Sequence, residues 1–313
     1  MKDKKIEKNY KFNAKPILKW AGGKSQLLPT LNEHFPEKLI RGNIVTYIEP
    51  FVGGGASFFE ISNIYNFSDA YLFDINPELI ILYNSVKNNV ESVIFELEKL
   101  SEKYLSLQDE KERKEQFYTV REQYNLNVID VYEIAKSSST NELRAAQTLF
   151  LNRVCFNGLF RVNRKGEFNV PHGRYKNPRI LDKNKLIYAS NALQQATIKL
   201  VDFSSCLEYA DKHTFMYYDP PYRPLNKTSS FNSYAKDQFG DDEQIRLSKM
   251  YRQLDKKGVL QLLSNSDPKN HSDDSFFDDL YKGFNINRVA AKRAINSNPE
   301  KRGNLTELLI RNY

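Results

Sequence analysis

The sequence predicts an α/β protein with a doubly wound, largely parallel sheet that is interrupted by a helical segment. Residues 43–50, NIVTYIEP, and 70–76, AYLFDIN, are short apolar runs typical of strands, and a glycine turn with a helical pattern separates them. Strand, helix and strand at this spacing favour a parallel sheet. The same alternation returns after residue 181, where 197–202 and 214–222 again have strand-like patterns.

The first region runs to about residue 84. FVGGGASFFEIS predicts a tight turn that enters a helix, since glycines permit the backbone conformations that such a turn needs. Pro77 follows the second strand and is expected to open another helix, where its missing N–H costs no hydrogen bond.

The middle region, about 85–181, lacks the alternation. It is helical in pattern up to Phe150, and then it becomes strongly basic. From Arg153 to Arg179 the only acid is Glu167, whereas seven residues are basic, so this stretch carries +6 of the whole chain's +7. The bases are Arg153, Arg161, Arg164, Lys165, Arg174, Lys176 and Arg179, and the aromatics Phe156, Phe160, Phe168 and Tyr175 lie between them.

The third region, 182–313, contains a helix, DDEQIRLSKMYRQLDKKG, with acids at its start and a glycine after it. VLQLLSNS, INRVAAKRAI and LTELLIRN are further strand candidates, and a polar loop lies between Arg223 and Gly240. We therefore expect residues 1–84 and 182–313 to form one catalytic domain and 85–181 to form a second domain.

Composition limits the possible classes of protein. The chain has 313 residues, of which 40% are hydrophobic and 27% charged, and no apolar run reaches the ~18 residues of a membrane span. The N-terminus is basic without an apolar segment, which argues against a secretory signal and for a cytoplasmic protein. Two distant cysteines and four histidines predict neither a disulfide framework nor a metal site. A pI near 9.0 favours a polyanionic partner.

The glycine turn in EPFVGGGASFF indicates a ligand site at the start of a helix. Asp74 ends the next strand, 19 residues after Gly55, where a carboxylate can accept hydrogen bonds from both hydroxyls of a ribose. The spacing is not G-x-G-x-x-G, so a nucleoside is a better candidate than a dinucleotide.

YYDPPY, from Tyr217 to Tyr222, is the second chemical signature. Asp219 follows a buried strand, and ligands bind at the carboxyl edge of such sheets. Pro220 and Pro221 stiffen the backbone and remove two N–H donors, which favours carbonyls that accept hydrogen bonds from an amine. Tyr222 offers a flat face to a base.

The segment PILKWAGGKSQLLP contains Gly-Lys-Ser, which also ends a phosphate-binding loop. That loop requires G-x-x-x-x-G-K-[ST], and the position five before Gly23 is Leu18. The segment instead predicts a loop leading into an amphipathic helix, with Leu27, Leu28 and Leu31 on one face.

Five motifs in order resemble the adenine-specific DNA methyltransferases of the Dam type, the D12 class. They are KWAGGK (19–24), EPFVGGG (49–55), FDIN (73–76), NRVCFNGLFRVNRKGEFNVPHGRY (152–175) and DPPY (219–222). The resemblance covers about Pro16 to Tyr313. It implies a methyltransferase sheet with a basic target-recognition insert, S-adenosyl-L-methionine as methyl donor, and methyl transfer to the exocyclic N6 amine of adenine in double-stranded DNA.

The resemblance also implies roles for single residues. Trp20 faces the sulfonium of the donor and Lys24 its carboxylate, Asp74 holds the ribose, and Asp202 with Phe203 flanks the donor's adenine. Asp219, Pro220, Pro221 and Tyr222 hold the extruded target base, and Asp219 also lies near the amine of the donor. The remaining expected donor contacts are Glu49, Phe51, Gly53 and Gly55.

The resemblance also implies that the basic insert reads the sequence GATC. The resemblance makes Arg161 the candidate for pairing with guanine, a role that suits arginine because it can donate two hydrogen bonds to that base in the major groove. Leu159 and Pro171 are candidates for thymine, and Asn157, Asn169, Tyr175 and Lys19 are further candidate DNA contacts. Arg164, Lys165, Lys176 and Arg179 are expected to bind phosphates.

Two other functions fit parts of the pattern. A D/N-P-P-Y motif also occurs in enzymes that methylate RNA or protein, and a DNA-binding module without catalysis would need only the basic insert. Binding of radiolabelled donor separates that module from an enzyme. We expect a monomer that pairs functionally with a restriction endonuclease, although a housekeeping or phage role fits the sequence equally.

Overall fold

The computed structural model describes residues 11–126, 131–137, 139–223, 239–270, 272–290 and 305–313. Within these ranges the helices are α1 (Leu28–Glu33), α2 (Glu37–Ile40), α3 (Ala56–Ile64), α4 (Pro77–Asn88), α5 (Val90–Ser106), α6 (Glu110–Leu126), α7 (Val131–Lys136), α8 (Glu142–Val154), α9 (Lys183–Leu193), α10 (Asp241–Lys256) and α11 (Phe276–Leu280). The strands are β1 (Thr46–Glu49), β2 (Asp69–Asp74), β3 (Ala196–Leu200), β4 (Thr214–Tyr218), β5 (Leu260–Ser266), β6 (Asn285–Ala290) and β7 (Thr306–Arg311). Residues 224–238 of the expected polar loop, and 291–295 of the strand candidate INRVAAKRAI, lie outside the described residues.

The chain divides into two compact units. Unit 1 consists of the residues up to Gly23 together with Gly53–Ser68 and Asn76–Leu200. Unit 2 consists of Lys24–Val52, Asp69–Ile75 and Val201–Tyr313. The expected division into a catalytic and a target-recognition domain is a functional one, and it stays a prediction.

Unit 2 contains a mixed sheet, as the sequence predicts. Six of its strands have the order β2-β1-β4-β5-β7-β6, in which β1 pairs in parallel with β2 and β4, and β4 pairs in parallel with β5. β7 is antiparallel to β5 and β6. Since Ile48 of β1 is level with Tyr71 and Met216, the carboxyl ends of three parallel strands meet at one edge of the sheet. Glu49, Asp74 and Asp219 stand at or directly after these ends, and the α/β prediction is confirmed.

The core of unit 2 explains why β4 is central. All five residues of TFMYY are buried, and Met216 and Tyr218 belong to an apolar cluster that includes Leu247 and Tyr251 of α10. α10 has acids in its first turn, and Gly258 follows its end with a φ of 78°. The helix predicted for this stretch is therefore confirmed, including the glycine after it.

Unit 1 is mainly helical and contains a buried ion pair between Glu78 and Arg144. α4 begins at Pro77, as predicted, and the side chain of Asn76 caps it by accepting a hydrogen bond from the Glu78 N–H at 3.0 Å. The Glu78 carboxylate accepts hydrogen bonds at 2.5 and 2.9 Å from Arg144 of α8, which also donates to the Tyr124 carbonyl of α6 at 2.9 Å. Because Glu78 and Arg144 are 6% and 3% exposed, this network joins three helices inside the unit.

Candidate active site

The DPPY motif directly follows β4 at the carboxyl edge of the sheet in unit 2. Its turn is fixed from two sides: Ser264 of β5 donates to the Tyr218 carbonyl at 3.3 Å, and the buried Gln244 of α10 donates to the Pro221 carbonyl at 3.1 Å. Pro220 and Pro221 limit the backbone between these anchors. The sequence therefore holds Asp219 and Tyr222 in defined positions at the end of a buried strand.

Asp219 forms an ion pair with Lys24. The Nζ atom of Lys24 lies 2.8 Å from Oδ1 of Asp219, and the two side chains are 8% and 21% exposed. The Ser264 hydroxyl is also 3.3 Å from Oδ1. Burial raises the pKa of Asp219 above its ordinary value, while the Lys24 ammonium works in the opposite direction. The arrangement keeps a largely buried carboxylate beside the Lys24 ammonium, where it can accept hydrogen bonds.

Tyr222 lies in the same cluster. The Lys24 ammonium is 4.2 Å from the centre of its ring, and the Tyr222 hydroxyl donates to Oε2 of Glu307 at 2.9 Å. Burial raises the pKa of Tyr222 well above its ordinary value, so the phenol is neutral and keeps its proton for this hydrogen bond. Lys24, Asp219 and Tyr222 were expected to act at one site, and in unit 2 they are in direct contact.

Glu49 and Asp74 stand at the ends of the two strands beside β4. Glu49 is 2% exposed and accepts a hydrogen bond from the Tyr47 hydroxyl at 3.1 Å. The Val52 N–H donates to the Phe73 carbonyl at 2.9 Å, which joins the turn after β1 to the end of β2. Two carboxylates are thus held at strand ends, as a ligand with amine and hydroxyl groups would require.

Asp202 and Phe203 follow β3 and begin a 3₁₀ turn, Phe203–Glu208. The ring of Phe51 lies 5.5 Å from the ring of Phe203, which is 2% exposed. Arg246 of α10 donates two hydrogen bonds of 2.7 Å to the Asp202 carboxylate and places its guanidinium 3.9 Å from the centre of the Phe203 ring. The Arg246 hydrogen bonds lower the pKa of Asp202 to about 2. In this structure Arg246 therefore binds the carboxylate of Asp202 and covers the ring of Phe203, the two groups expected to contact the adenine of the methyl donor. The adenine-binding role of Asp202 and Phe203 stays a prediction.

Trp20 packs on the glycine turn of unit 1. A Cβ atom at Gly54 would lie 2.9 Å from Cβ of Trp20, and one at Gly53 would lie 3.1 Å from Cδ1 of the indole. Gly55 precedes α3 with a φ of 68°, a left-handed conformation that favours glycine. The other neighbour of the indole is Phe160, whose ring centre is 5.2 Å away. Glycines are therefore needed here so that Trp20 can approach the backbone.

The basic segment of unit 1 forms a hairpin-like loop. The Phe156 N–H donates to the Pro171 carbonyl at 2.8 Å, and the Asn169 N–H donates to the Arg161 carbonyl at 3.1 Å. The Nε of Arg161 donates to the Asn169 side chain at 2.8 Å, so these two candidate readers are in contact. Asn169 is partly buried, and the other candidate DNA contacts are exposed: Lys19, Asn157, Leu159, Arg161, Pro171 and Tyr175.

Asn152 joins this loop to Lys19. Its amide donates to the carbonyls of Lys19 and Gly158, each at 2.9 Å, and it accepts from the Lys19 N–H at 2.8 Å. A Cβ atom at Gly158 would lie only 2.5 Å from Cδ of Lys19. The candidate contact Lys19 therefore lies against the start of the basic loop.

Among the residues that the structure describes, no group of His, Cys, Asp or Glu could hold a metal ion, and none of the helices is long and apolar enough to cross a membrane.

The matches to known proteins agree with this geometry. The profile of D12 class N6 adenine-specific DNA methyltransferases matches residues 20–295. The chain belongs to this family. It is an enzyme of adenine-specific DNA methylation, and the resemblance, the α/β fold and the enzyme class expected from the sequence are confirmed.

Curated D12 relatives match nearly the whole chain. Type II methyltransferase M.MjaIII of Methanocaldococcus jannaschii is 51% identical over 303 residues, which are 96% of this chain and 100% of that protein. Type II methyltransferase M1.LlaDCHI of Lactococcus lactis subsp. cremoris is 39% identical, covering 98% of each chain. The DNA adenine methylase of Haemophilus influenzae is 37% identical, covering 99% of this chain and 97% of that protein.

Three residues in contact with the candidate site of this D12 protein were not indicated by the sequence. They are Ser264 and Glu307 of the sheet and Arg246 of α10. Each lies 44 or more positions from the residue that it binds. Strand patterns predicted the secondary structure of Ser264 and Glu307 and a helix pattern that of Arg246, but a local motif carries no information about such distant contacts.

Proposed function

We propose that this D12 methyltransferase transfers a methyl group from S-adenosyl-L-methionine to the N6 amine of an extruded adenine, and that Asp219 is the catalytic residue. The observation that carries the proposal is the contact of Lys24 with both Asp219 and Tyr222 at the carboxyl edge of the sheet. The methyl donor supplies an electrophilic carbon on a sulfonium.

The charged side chains of unit 2 are chemically suited to bind this methyl donor. S-adenosylmethionine has a carboxylate, an amine and a ribose, and unit 2 offers the ammonium of Lys24 with carboxylates at the ends of β1, β2 and β4. We propose that Lys24 binds the donor carboxylate, Asp74 the ribose and Asp202 with Phe203 the adenine. Glu49 and Phe51 complete the contacts from unit 2. Trp20, Gly53 and Gly55 are proposed donor contacts from the resemblance.

Asp219 would activate the target nitrogen. The lone pair of an adenine amine is delocalised into the purine, so the nitrogen is a weak nucleophile. Hydrogen bonds to the Asp219 carboxylate and the Pro220 carbonyl would favour a tetrahedral nitrogen with a localised lone pair. That nitrogen would then bond to the methyl carbon in line with the breaking carbon–sulfur bond, whose electron pair would stay on the sulfur, and the nitrogen would afterwards release a proton to water. Alignment and the fixed negative charge are the main sources of acceleration.

The target base must leave the duplex to reach Asp219. Extrusion of a base costs a few kcal/mol, and stacking on an aromatic side chain returns about 1–3 kcal/mol. Tyr222 is the proposed stacking partner, since it follows Asp219 by three residues on a backbone stiffened by two prolines. Lys24 now lies over the Tyr222 ring, so donor binding that attracts Lys24 would also open this face.

We propose GATC as the target sequence. Arg161 is the proposed guanine reader, and its contact with Asn169 supports the choice because it fixes the guanidinium on an exposed loop. Leu159 and Pro171 would contact thymine, and Asn157, Tyr175 and Lys19 would add contacts to DNA. The protein is further proposed to act as a cytoplasmic monomer that protects DNA from a partner endonuclease.

The experiment measures transfer of radiolabelled methyl to duplexes with one GATC site, followed by identification of the methylated base. Asp219→Ala is expected to abolish transfer while duplex binding stays near that of the unmodified protein. Asp242→Asn, which changes an exposed acid of α10, is the control. Near-normal turnover by Asp219→Ala would contradict the proposed mechanism, and equal transfer to duplexes without GATC would contradict the target.

A further inference from the structure

We propose that Glu307 is a positioning residue for methyl transfer, because it holds the hydroxyl of Tyr222 and thereby sets the plane of the ring on which the target base stacks. The inference rests on the proposed function of Tyr222 and adds a residue from the opposite end of the sequence. Glu307 is the second residue of β7, whereas Tyr222 follows β4.

The contact restrains Tyr222 at the far end of its side chain. The hydroxyl donates to Oε2 of Glu307 at 2.9 Å, and the other end of the residue follows Pro220 and Pro221. A phenol that is fixed only at its Cα can tilt and turn about two side-chain torsions. With the hydroxyl also held, the ring keeps one plane, and a stacking surface must be planar and stationary to retain an extruded base.

Glu307 is itself held by the strand that carries it. It pairs with Ser266 in the antiparallel ladder between β5 and β7. Thr306 lies directly before it. The Thr306 N–H donates to the side-chain oxygen of Asn270 at 2.9 Å, and the Asn270 amide donates to the Thr306 carbonyl at 2.7 Å. The Thr306 hydroxyl donates to Asp267 at 2.6 Å. Three hydrogen bonds to the segment after β5 therefore anchor the start of β7, so the Glu307 carboxylate has a rigid base.

The negative charge of Glu307 also affects the pKa of Asp219, which gives a second way to test the proposed role. Asp219 pairs with Lys24, and the charge of Glu307 also acts on the Asp219 carboxylate. Burial is the main reason that the pKa of Asp219 is raised, and the negative charge of Glu307 raises it further. Neutralising Glu307 while keeping a hydrogen-bond acceptor should therefore lower the pKa of Asp219 without releasing Tyr222.

Four variants separate the hydrogen bond from the charge. Tyr222→Phe keeps the ring and removes the hydrogen bond, Glu307→Ala removes the acceptor and the charge, and Glu307→Gln keeps an acceptor without the charge. The fourth is the double variant Tyr222→Phe with Glu307→Ala. The measurements are kcat and KM for a GATC duplex at saturating donor, the pH profile of kcat, the Kd for donor and the thermal midpoint.

Tyr222→Phe and Glu307→Ala are each expected to lower kcat/KM about tenfold, because each removes one hydrogen bond to a charged group. The kcat/KM of the double variant should be no lower than that of the less active single variant, because the two substitutions remove the same interaction. Glu307→Gln should retain kcat/KM within about threefold, and the acid limb of its kcat profile should move to lower pH. The Kd for donor and the thermal midpoint should change little in Tyr222→Phe and Glu307→Gln.

Two results of the kinetic measurements would overturn the inference while leaving the function intact. One is a Glu307→Ala enzyme as active as the unmodified protein. The other is a double variant whose loss equals the product of the two single losses, because the residues would then act independently. A fall of donor affinity and thermal midpoint in all variants, in proportion to the loss of activity, would assign Glu307 to the fold alone. If the unmodified protein transfers no methyl to a GATC duplex, the proposed function fails instead.

Discussion

The ammonium of Lys24 lies 2.8 Å from the Asp219 carboxylate and 4.2 Å from the centre of the Tyr222 ring. One cation thus contacts both side chains that are proposed to receive the target base. Binding of the donor carboxylate by Lys24 would weaken its hold on Asp219 and Tyr222, so we expect the donor to bind before the base enters.

The first prediction concerns the pH dependence of Lys24→Met. Lys24 lowers the pKa of a carboxylate that burial raises, so its removal should raise the pKa of Asp219 further. Asp219 must be ionised to accept a hydrogen bond from the amine, and the acid limb of the kcat profile should therefore move to higher pH. The measurement is kcat against pH at saturating donor and DNA. Lys249→Met, on an exposed position of α10, is the control, and an unchanged or lower limb in Lys24→Met would refute the coupling.

The second prediction concerns target choice. Arg161→Ala should cost about 1–3 kcal/mol on GATC and relax selection at one base pair, since one bidentate pair is lost. The measurement is kcat/KM on duplexes in which each base pair of GATC is replaced in turn. Arg164→Ala is the matched control and should weaken activity evenly over all duplexes, as expected for a phosphate contact. An even loss in Arg161→Ala would instead make Arg161 a phosphate contact.

The third prediction concerns the stability of unit 1. Glu78→Gln leaves the Arg144 guanidinium buried without its charge partner, and breaking a buried pair in this way costs about 3–5 kcal/mol. The measurement is the free energy of unfolding from denaturant titration. Glu91→Gln, an exposed acid in the first turn of α5, should change it by less than about 0.5 kcal/mol. A loss of similar size in both variants would show that the buried network adds nothing specific.

The sequence was sufficient where a feature is local. Pro77 opens α4 and Asn76 caps it because a proline and a short polar side chain suit those positions whatever surrounds them. The end of β4 was predictable for a similar reason, since a fully buried apolar run must end before the charge of Asp219. The parallel pairing of β1 with β2 was also predictable, because a helix separates the two strands along the chain.

Other features of the candidate site depend on tertiary packing. Tyr222 and Glu307 are 85 positions apart, and Asp202 and Arg246 are 44 apart, so their meeting depends on the register of whole strands and helices. Arg246 was hidden for a further reason. In a helix with alternating acids and bases it resembles any solvated arginine, although its guanidinium lies on Phe203 and binds Asp202.

Asn152 has a consequence for how related chains can differ. Its side-chain amide donates hydrogen bonds to the backbone carbonyls of Lys19 and Gly158. A residue larger than glycine at position 158 would clash with the aliphatic part of the Lys19 side chain. A substitution at any one of these three positions would disturb the other two. We therefore expect positions 19, 152 and 158 to covary among related chains. A residue larger than glycine at position 158 should occur together with a side chain shorter than lysine at position 19.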